Sequence, residues 1–174
     1  LWDSLAGRED VQWWARLDSD DYLADDNAVE AMIDTGRRTG ADVLLGGNRL
    51  ASDDEMIDRT NPASPDLLRP AKLLRRLESM AAGDTTAELP SCNLVVRAGF
   101  SGRYPDVPSA EDHWLVAKML LTQPERCAIL TRPYYAVYHL DGAVSEQNRR
   151  TGQHLESRRR LFSAAKEWMK RSHV

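Results

Sequence analysis

Apolar and polar positions along the chain fall into short blocks whose spacing switches between a period of two and a period near 3.6, the rhythms of strand and helix. Gln12 to Leu17 (QWWARL) is apolar, aromatic and rich in strand formers, and it stops abruptly at Asp18-Ser19-Asp20-Asp21. A buried strand running into a loop is expected there. Asp25 or Asp26 then caps a helix in which Ala28, Val29, Met32 and Ile33 share one face; it closes between Gly36 and Gly40 with Arg37 and Arg38 in its last turn. Asp42 to Leu45 (DVLL) reads as a second buried strand. Strand, helix and strand make a βαβ unit, for which parallel pairing and a right-handed crossover are the default.

Residues 46–65 hold Gly, Asn, Asp, Ser and two prolines without periodicity, which predicts a surface loop or a short hairpin. Leu67, Leu68, Leu73, Leu74, Leu77 and Met80 recur at helical spacing, with Pro70 near the first turn and Gly83 as a stop. Cys92 to Val96 is strand-like, and a turn-rich stretch (SGRYPDVPS) then leads to Glu111-Asp112. Trp114, Leu115, Met119 and Leu120 predict a third helix; Ala128 to Leu130 and Tyr134 to Tyr138 predict two further strands. From Gln153 a last helix presents Leu155, Phe162, Ala165 and Met169 on one face and a cluster of arginines elsewhere. This divides the chain into an α/β body over 1–152 and a basic amphipathic helix over 153–174.

Composition narrows the class. The 174 residues are 42% hydrophobic and 29% charged, values of a folded globular chain rather than a disordered or fibrous one. No apolar run approaches the roughly 20 residues of a membrane span. The opening LWDSLAGRED is mixed and acidic, unlike a secretory signal, so a cytoplasmic location is expected. Cys92 and Cys127 sit in apolar contexts without zinc-ligand spacing and read as buried thiols.

Charge is unevenly spread. Residues 1–60 carry 15 acidic and 6 basic side chains, whereas 149–174 carry 2 and 8. An acidic front half argues against a nucleic-acid surface and permits a cation site. The basic tail suits an anionic polymer or peripheral contact with an anionic membrane.

The chemistry concentrates at Asp18-Ser19-Asp20-Asp21. Ligands of open α/β sheets sit beyond the carboxyl ends of the strands, where this cluster falls, and carboxylates two apart can converge on one hard divalent ion. The competing reading has Asp20, Asp21, Asp25 and Asp26 cap the next helix and solvate a loop. An EF-hand is excluded, because a loop starting at Asp18 would place Tyr22, Leu23 and Val29 where an oxygen ligand, Gly and Glu are required. A phosphatase of the aspartyl-phosphate type fits poorly, since Tyr22 stands two residues after Asp20.

Trp14 to Leu23 (WARLDSDDYL) resembles the acidic DXD segment of family 2 glycosyltransferases, inverting enzymes of the GT-A fold that use nucleotide-diphosphate sugars. Ser91 to Arg97 (SCNLVVR) is similar to that family's strand before the acceptor region, Glu111 to Leu115 (EDHWL) to its helix-opening acidic motif, and Tyr134 to Ser145 (YYAVYHLDGAVS) to its closing strand and loop. The four motifs follow in family order over residues 11–150. The first, nucleotide-binding half of such a domain has no counterpart before Gln12, so the chain reads as the C-terminal part of a longer enzyme.

The resemblance implies a mixed, mostly parallel sheet flanked by helices. It implies that Asp20 ligates Mn²⁺ or Mg²⁺, that Asp18 belongs to the same metal site and contacts the ribose or stands behind the ligands, and that Asp21 binds substrate by orienting the loop. His139 is a further candidate ligand. Asp112 would be the general base and Glu111 would position the acceptor; Asn93, Trp114, Ser145 and Arg149 would bind substrate, Arg149 together with Arg150 at the diphosphate. His113, His154 and His173 are expected to be bystanders. The expected reaction moves a sugar from a nucleotide-sugar donor to a hydroxyl of a glycan, polyol-phosphate polymer or lipid-linked acceptor, in polysaccharide biosynthesis at the cell envelope. The alternatives are an inactive glycosyltransferase-like binding module and a phosphatase-like hydrolase.

Overall fold

Two four-stranded sheets, both mixed, and four helices carry the chain in a computed structural model that describes residues 10–18, 21–51, 56–61, 64–89, 93–100, 106–107, 109–132, 135–139 and 151–172. The strands are β1 (Trp13–Ala15), β2 (Tyr22–Leu23), β3 (Val43–Gly46), β4 (Asn48–Ala51), β5 (Met56–Asn61), β6 (Leu94–Arg97), β7 (Cys127–Leu130) and β8 (Ala136–His139). The helices are α1 (Ala28–Thr39), α2 (Pro70–Ala81), α3 (Glu111–Thr122) and α4 (Gln153–Ser172). The first sheet has the order β1-β6-β3-β7, and the second β2-β8-β4-β5.

The expected βαβ unit is altered in one respect. β1 and β3 run the same way, but β6 is inserted between them and pairs antiparallel with both. Its residues explain the insertion: Leu94, Val95 and Val96 are all fully buried, which an interior strand flanked on both sides tolerates and an edge does not. Parallel pairing survives between β3 and β7 and between β4 and β8, while the other ladders among the described residues are antiparallel. The sheets are therefore more antiparallel than expected. Within 46–65, β4 pairs antiparallel with β5, in line with the hairpin alternative, and Pro65–Leu68 forms a 3₁₀ turn.

Alternation along the first sheet divides the interior. Val43, Leu45, Leu94 and Val96 face α2, α3 and α4 in one apolar cluster, whereas Leu44 and Val95 face Met32, Ala28 and Tyr135 in another. α1 starts with an Asx turn, in which Asp25 Oδ1 accepts the Asn27 N–H at 2.9 Å, and Asp26 takes no part in it. It ends at Gly40, whose φ of 74° is left-handed and whose N–H donates to the Gly36 carbonyl. Pro70 opens α2, where its missing N–H costs nothing.

α4 packs on α2 and α3 within the larger cluster through Leu161 and Ala165, with Leu155, Phe162 and Met169 only partly buried. One of its bases leaves the solvated face. Arg158 is 3% exposed and forms an ion pair with Glu88, whose backbone carbonyl also accepts from Arg76 Nη2 at 2.9 Å. Among the described residues no helix is long and apolar enough to cross a membrane.

Removing one partner of a buried ion pair strands the other charge, at a cost of about 3 kcal/mol. Glu88→Ala is expected to lower the melting temperature by about 6–12 °C, at about 2–4 °C per kcal/mol for a chain of this size. The double variant Glu88→Leu/Arg158→Leu should recover most of that loss in the same thermal denaturation. A single variant that melts like the wild type would show that the pair does not anchor α4.

Candidate functional site

Register in the first sheet determines which chemical groups share an edge. β1 ends at Ala15, opposite Val95, and the Arg16 N–H donates to the Leu94 carbonyl at 2.9 Å; β3 ends at Gly46, whose N–H donates to the Asn93 carbonyl at 3.0 Å. Because β6 runs against both neighbours, its first residues and their last residues lie at one edge. Asp18, Asn93 and Gly46–Asn48 are therefore brought to that edge from three separate segments.

α3 adds the second acidic motif. It connects through a short 3₁₀ turn to Cys127, which pairs with Val43 at the start of β3, so the C-terminus of α3 lies at the opposite edge. Twelve residues rise roughly 18 Å, enough to return past strands of four residues. Glu111 and Asp112 form the first turn of α3, at the end away from Cys127, and Leu115, Val116, Met119 and Leu120 pack in the cluster that holds Leu45 and Leu94.

Local chemistry differs between the two acidic motifs. Asp18 is 37% exposed and accepts from Arg16 Nε at 3.1 Å, while the Asp21 N–H donates to the Asp18 carbonyl at 3.1 Å. Asp112 is 14% exposed; its Oδ1 accepts the His113 N–H at 2.8 Å and lies 3.6 Å from His113 Nδ1. The residue before this turn, Ala110, has φ 58°, a left-handed strain that a non-glycine adopts only where its surroundings hold it.

Two residues expected to bind substrate have structural duties. Asn93 is fully buried and its Nδ2 donates to the Gly46 carbonyl at 3.1 Å, tying β6 to the end of β3. Trp114 donates its indole N–H to Ser157 Oγ at 3.2 Å and meets Trp168 edge-on at 6.0 Å between ring centroids. β8 ends at His139, two residues beyond the Tyr22–Val137 pair in the direction of Asp21. Asp20, Ser145, Arg149 and Arg150 lie outside the described residues, as do Ser91, Cys92, Tyr134 and His173.

Two of the histidines expected to be bystanders are buried. His113 and His154 are 6% and 9% exposed, and their rings meet edge-on at 6.0 Å. His154 Nδ1 lies 3.1 Å from Ser109 Oγ, and Ser157 donates to the Ser109 carbonyl, so α4 is fastened by polar contacts to the segment that leads into Glu111-Asp112. His154 lies in a basic, polar stretch of sequence; its helical spacing to Leu161 and Ala165, at i+7 and i+11, was the signal that it faces inward. Asn48 is also fully buried, and its carboxamide has no hydrogen-bond partner among the described residues.

Asp18 fits a divalent-ion site as a partly exposed hard oxygen donor at a strand end. Among the described residues no group of three or more His, Cys, Asp or Glu side chains could hold a metal ion by itself. Compared with family models, with curated proteins and with solved structures, the chain matches none.

Two outcomes follow from this geometry. A Cβ on Gly46 would stand 2.6 Å from Tyr135 Cβ, an atom fixed to the backbone, so Gly46→Ala is expected to cost about 1–3 kcal/mol by overpacking. Urea denaturation checks it, and an unchanged midpoint would show that the Gly46 to Tyr135 approach is loose. Burial also pushes the Cys127 thiol from 9.0 up to about 12 and the Tyr135 hydroxyl from 10.0 up to about 12. The stabilisation is complete below the unfolded values and is lost as pH rises from about 9 toward 12, where the unfolded chain has released protons that the native state keeps. Midpoints measured from pH 7 to 10.5 should fall, and Cys127→Ala should flatten the fall; a slope unaltered by that variant would contradict the Cys127 contribution.

Proposed function

We propose that the chain is part of an inverting glycosyltransferase of the GT-A type, which transfers a sugar from a nucleotide-diphosphate donor to an acceptor hydroxyl. The observation that carries the reading is the local setting of the two acidic motifs. Asp18 follows the end of β1 as a partly exposed carboxylate held by Arg16, and Asp112, 14% exposed, opens α3 with its carboxylate on the His113 N–H. The arrangement also supports the division of labour that the sequence resemblance implies.

In this reading Asp18 and Asp20, with His139 at the end of β8, would hold Mn²⁺ or Mg²⁺ against the donor diphosphate. The ion, when bound, supplies positive charge for the departing diphosphate. Arg16 holds the Asp18 carboxylate in place, which suits Asp18 for orienting the donor. Asp112 acts as general base: it accepts the proton of the acceptor hydroxyl while that oxygen attacks the anomeric carbon from the face opposite the diphosphate. One base and one displacement give inversion. His113, beside the same carboxylate and buried, fixes its orientation. The strained backbone at Ala110 and the buried Ser109, Ser157 and His154 contacts hold the turn that aims Asp112.

The test uses the protein expressed in its full length. Asp112→Asn keeps the size of the side chain but cannot take a proton, so kcat should fall roughly 100-fold to 10,000-fold with donor affinity near wild type. Asp20→Asn should abolish transfer and weaken Mn²⁺-dependent donor binding with the melting temperature preserved. Nucleotide-diphosphate release from a panel of nucleotide sugars, with and without chelator, measures both. A wild-type rate in Asp112→Asn, or full activity in excess chelator, would reject the mechanism. A larger loss in Glu111→Gln than in Asp112→Asn would move the base to Glu111.

A further inference from the structure

A cleft of about 600 Å³ opens between the first turn of α3 and the first turns of α4, and of the two acidic motifs only the second reaches it, through Trp114. Val107, Trp114 and Leu155 supply its apolar lining, and Arg159, Arg160 and Glu156 its charged lining. Its size is that of a small-molecule or oligomer subsite. We propose that this cleft binds a phosphate-bearing polyol or saccharide chain, with Arg159 and Arg160 on a phosphate and Trp114 against the carbon backbone beside it. The proposal rests on the glycosyltransferase reading and specifies its acceptor.

The charge balance around the cleft favours an anion. Three consecutive arginines have three different surroundings: Arg158 is buried and neutralised by Glu88, Arg160 is exposed and shares an exposed Glu156 at 3.0 Å, and Arg159 is exposed with no carboxylate partner among the described residues. An exposed i,i+4 pair contributes little and yields readily to a better partner, so both outer guanidinium groups remain available. A planar guanidinium presents paired N–H donors that match phosphate oxygens, which an ammonium does not. The cleft also lies in the most basic part of an otherwise acidic chain.

The apolar wall is rigid. Trp114 is held by Ser157 and Trp168, leaving a fixed surface at low entropic cost to a ligand. Glu111 and Trp114, three residues apart, share a face of α3, so a chain seated in the cleft runs toward the acidic turn where a hydroxyl would be activated. A phosphate a unit or two from the reacting hydroxyl would then anchor the acceptor at a distance from the chemistry. This also accounts for a helix that carries six basic side chains yet is docked firmly on the body.

Isothermal titration of the full-length protein with a synthetic glycerol-phosphate hexamer, without donor, tests the proposal independently of catalysis. One site is expected, weakened at least tenfold in Arg159→Gln/Arg160→Gln and at least tenfold between 50 mM and 500 mM salt, with the melting temperature unchanged because both side chains are exposed. Arg159→Lys should retain an intermediate affinity. Maltohexaose should bind at least tenfold more weakly, and equimolar inorganic phosphate should not displace the hexamer. Absence of hexamer binding, equal binding of maltohexaose, displacement by inorganic phosphate, or unchanged affinity in the double variant would each overturn the cleft as a phosphate-chain site. Those results leave nucleotide-diphosphate release as a separate measure of the glycosyltransferase reading.

Discussion

The insertion of β6 between β1 and β3 is the constraint on which the rest depends. Leu94, Val95 and Val96 are buried on both faces, and burial of a Val or Leu side chain contributes roughly 1.5–3 kcal/mol. An apolar strand of this kind is stable only with a hydrogen-bonded neighbour on each side, since an open edge would leave its N–H and C=O groups facing apolar side chains. Once it is placed, register determines the remainder. The ends of β1 and β3 must meet the beginning of β6, Asn93 must reach the Gly46 carbonyl, and the chain leaving β3 must cross through Gly46 and Gly47 into the second sheet. Close approach of Tyr135 leaves no room for a side chain at Gly46. The edge that gathers Asp18 and the fully buried Asn48 is thus a by-product of core formation.

A second layer of specificity comes from polar contacts made at helix surfaces. α4 would dock through Leu161 and Ala165 in several rotational settings by apolar burial alone, because burial is not directional. Arg158 on Glu88, His154 on Ser109 and Trp114 on Ser157 select one of them. Arg158, His154, Ser109 and Ser157 are buried and would be costly if left unpaired, so a rotated helix loses several contacts at once. The same contacts brace the strained turn at Ala110, which links the packing of the last helix to the orientation of Asp112.

The molecule is electrically asymmetric, and the asymmetry suits the proposed chemistry. The acidic cluster after β1 offers oxygen donors to a cation, and the basic helix offers guanidinium groups to an anion, with Glu111 and Asp112 in sequence between them. A metal-held diphosphate and a phosphate-bearing acceptor would each find complementary charge on its own side of the reacting hydroxyl. In that reading, separation of the two fields would keep the acceptor's phosphate away from the metal, where it would compete with the donor.

The sequence by itself determined most of the local structure. Periodicity located α1 through α4 and the strands at Trp13–Ala15, Val43–Gly46, Leu94–Arg97 and Cys127–Leu130 within a residue or two, because side-chain spacing and the Gly and Pro signals are local properties. It also singled out Asp18, Glu111 and Asp112 as chemical groups, since clustered carboxylates at element ends are visible in one dimension. Pairing was decided by the tertiary structure alone. Nothing in the spacing of QWWARL and DVLL reveals that a third strand from 50 residues further along will separate them, because strand order depends on which apolar surfaces can be buried together. The same is true of His113, His154, Ser109 and Ser157. Each is an ordinary polar residue in the sequence, and each acquires a role only through a neighbour at least forty residues away or on another helix, a relation that only the folded chain creates.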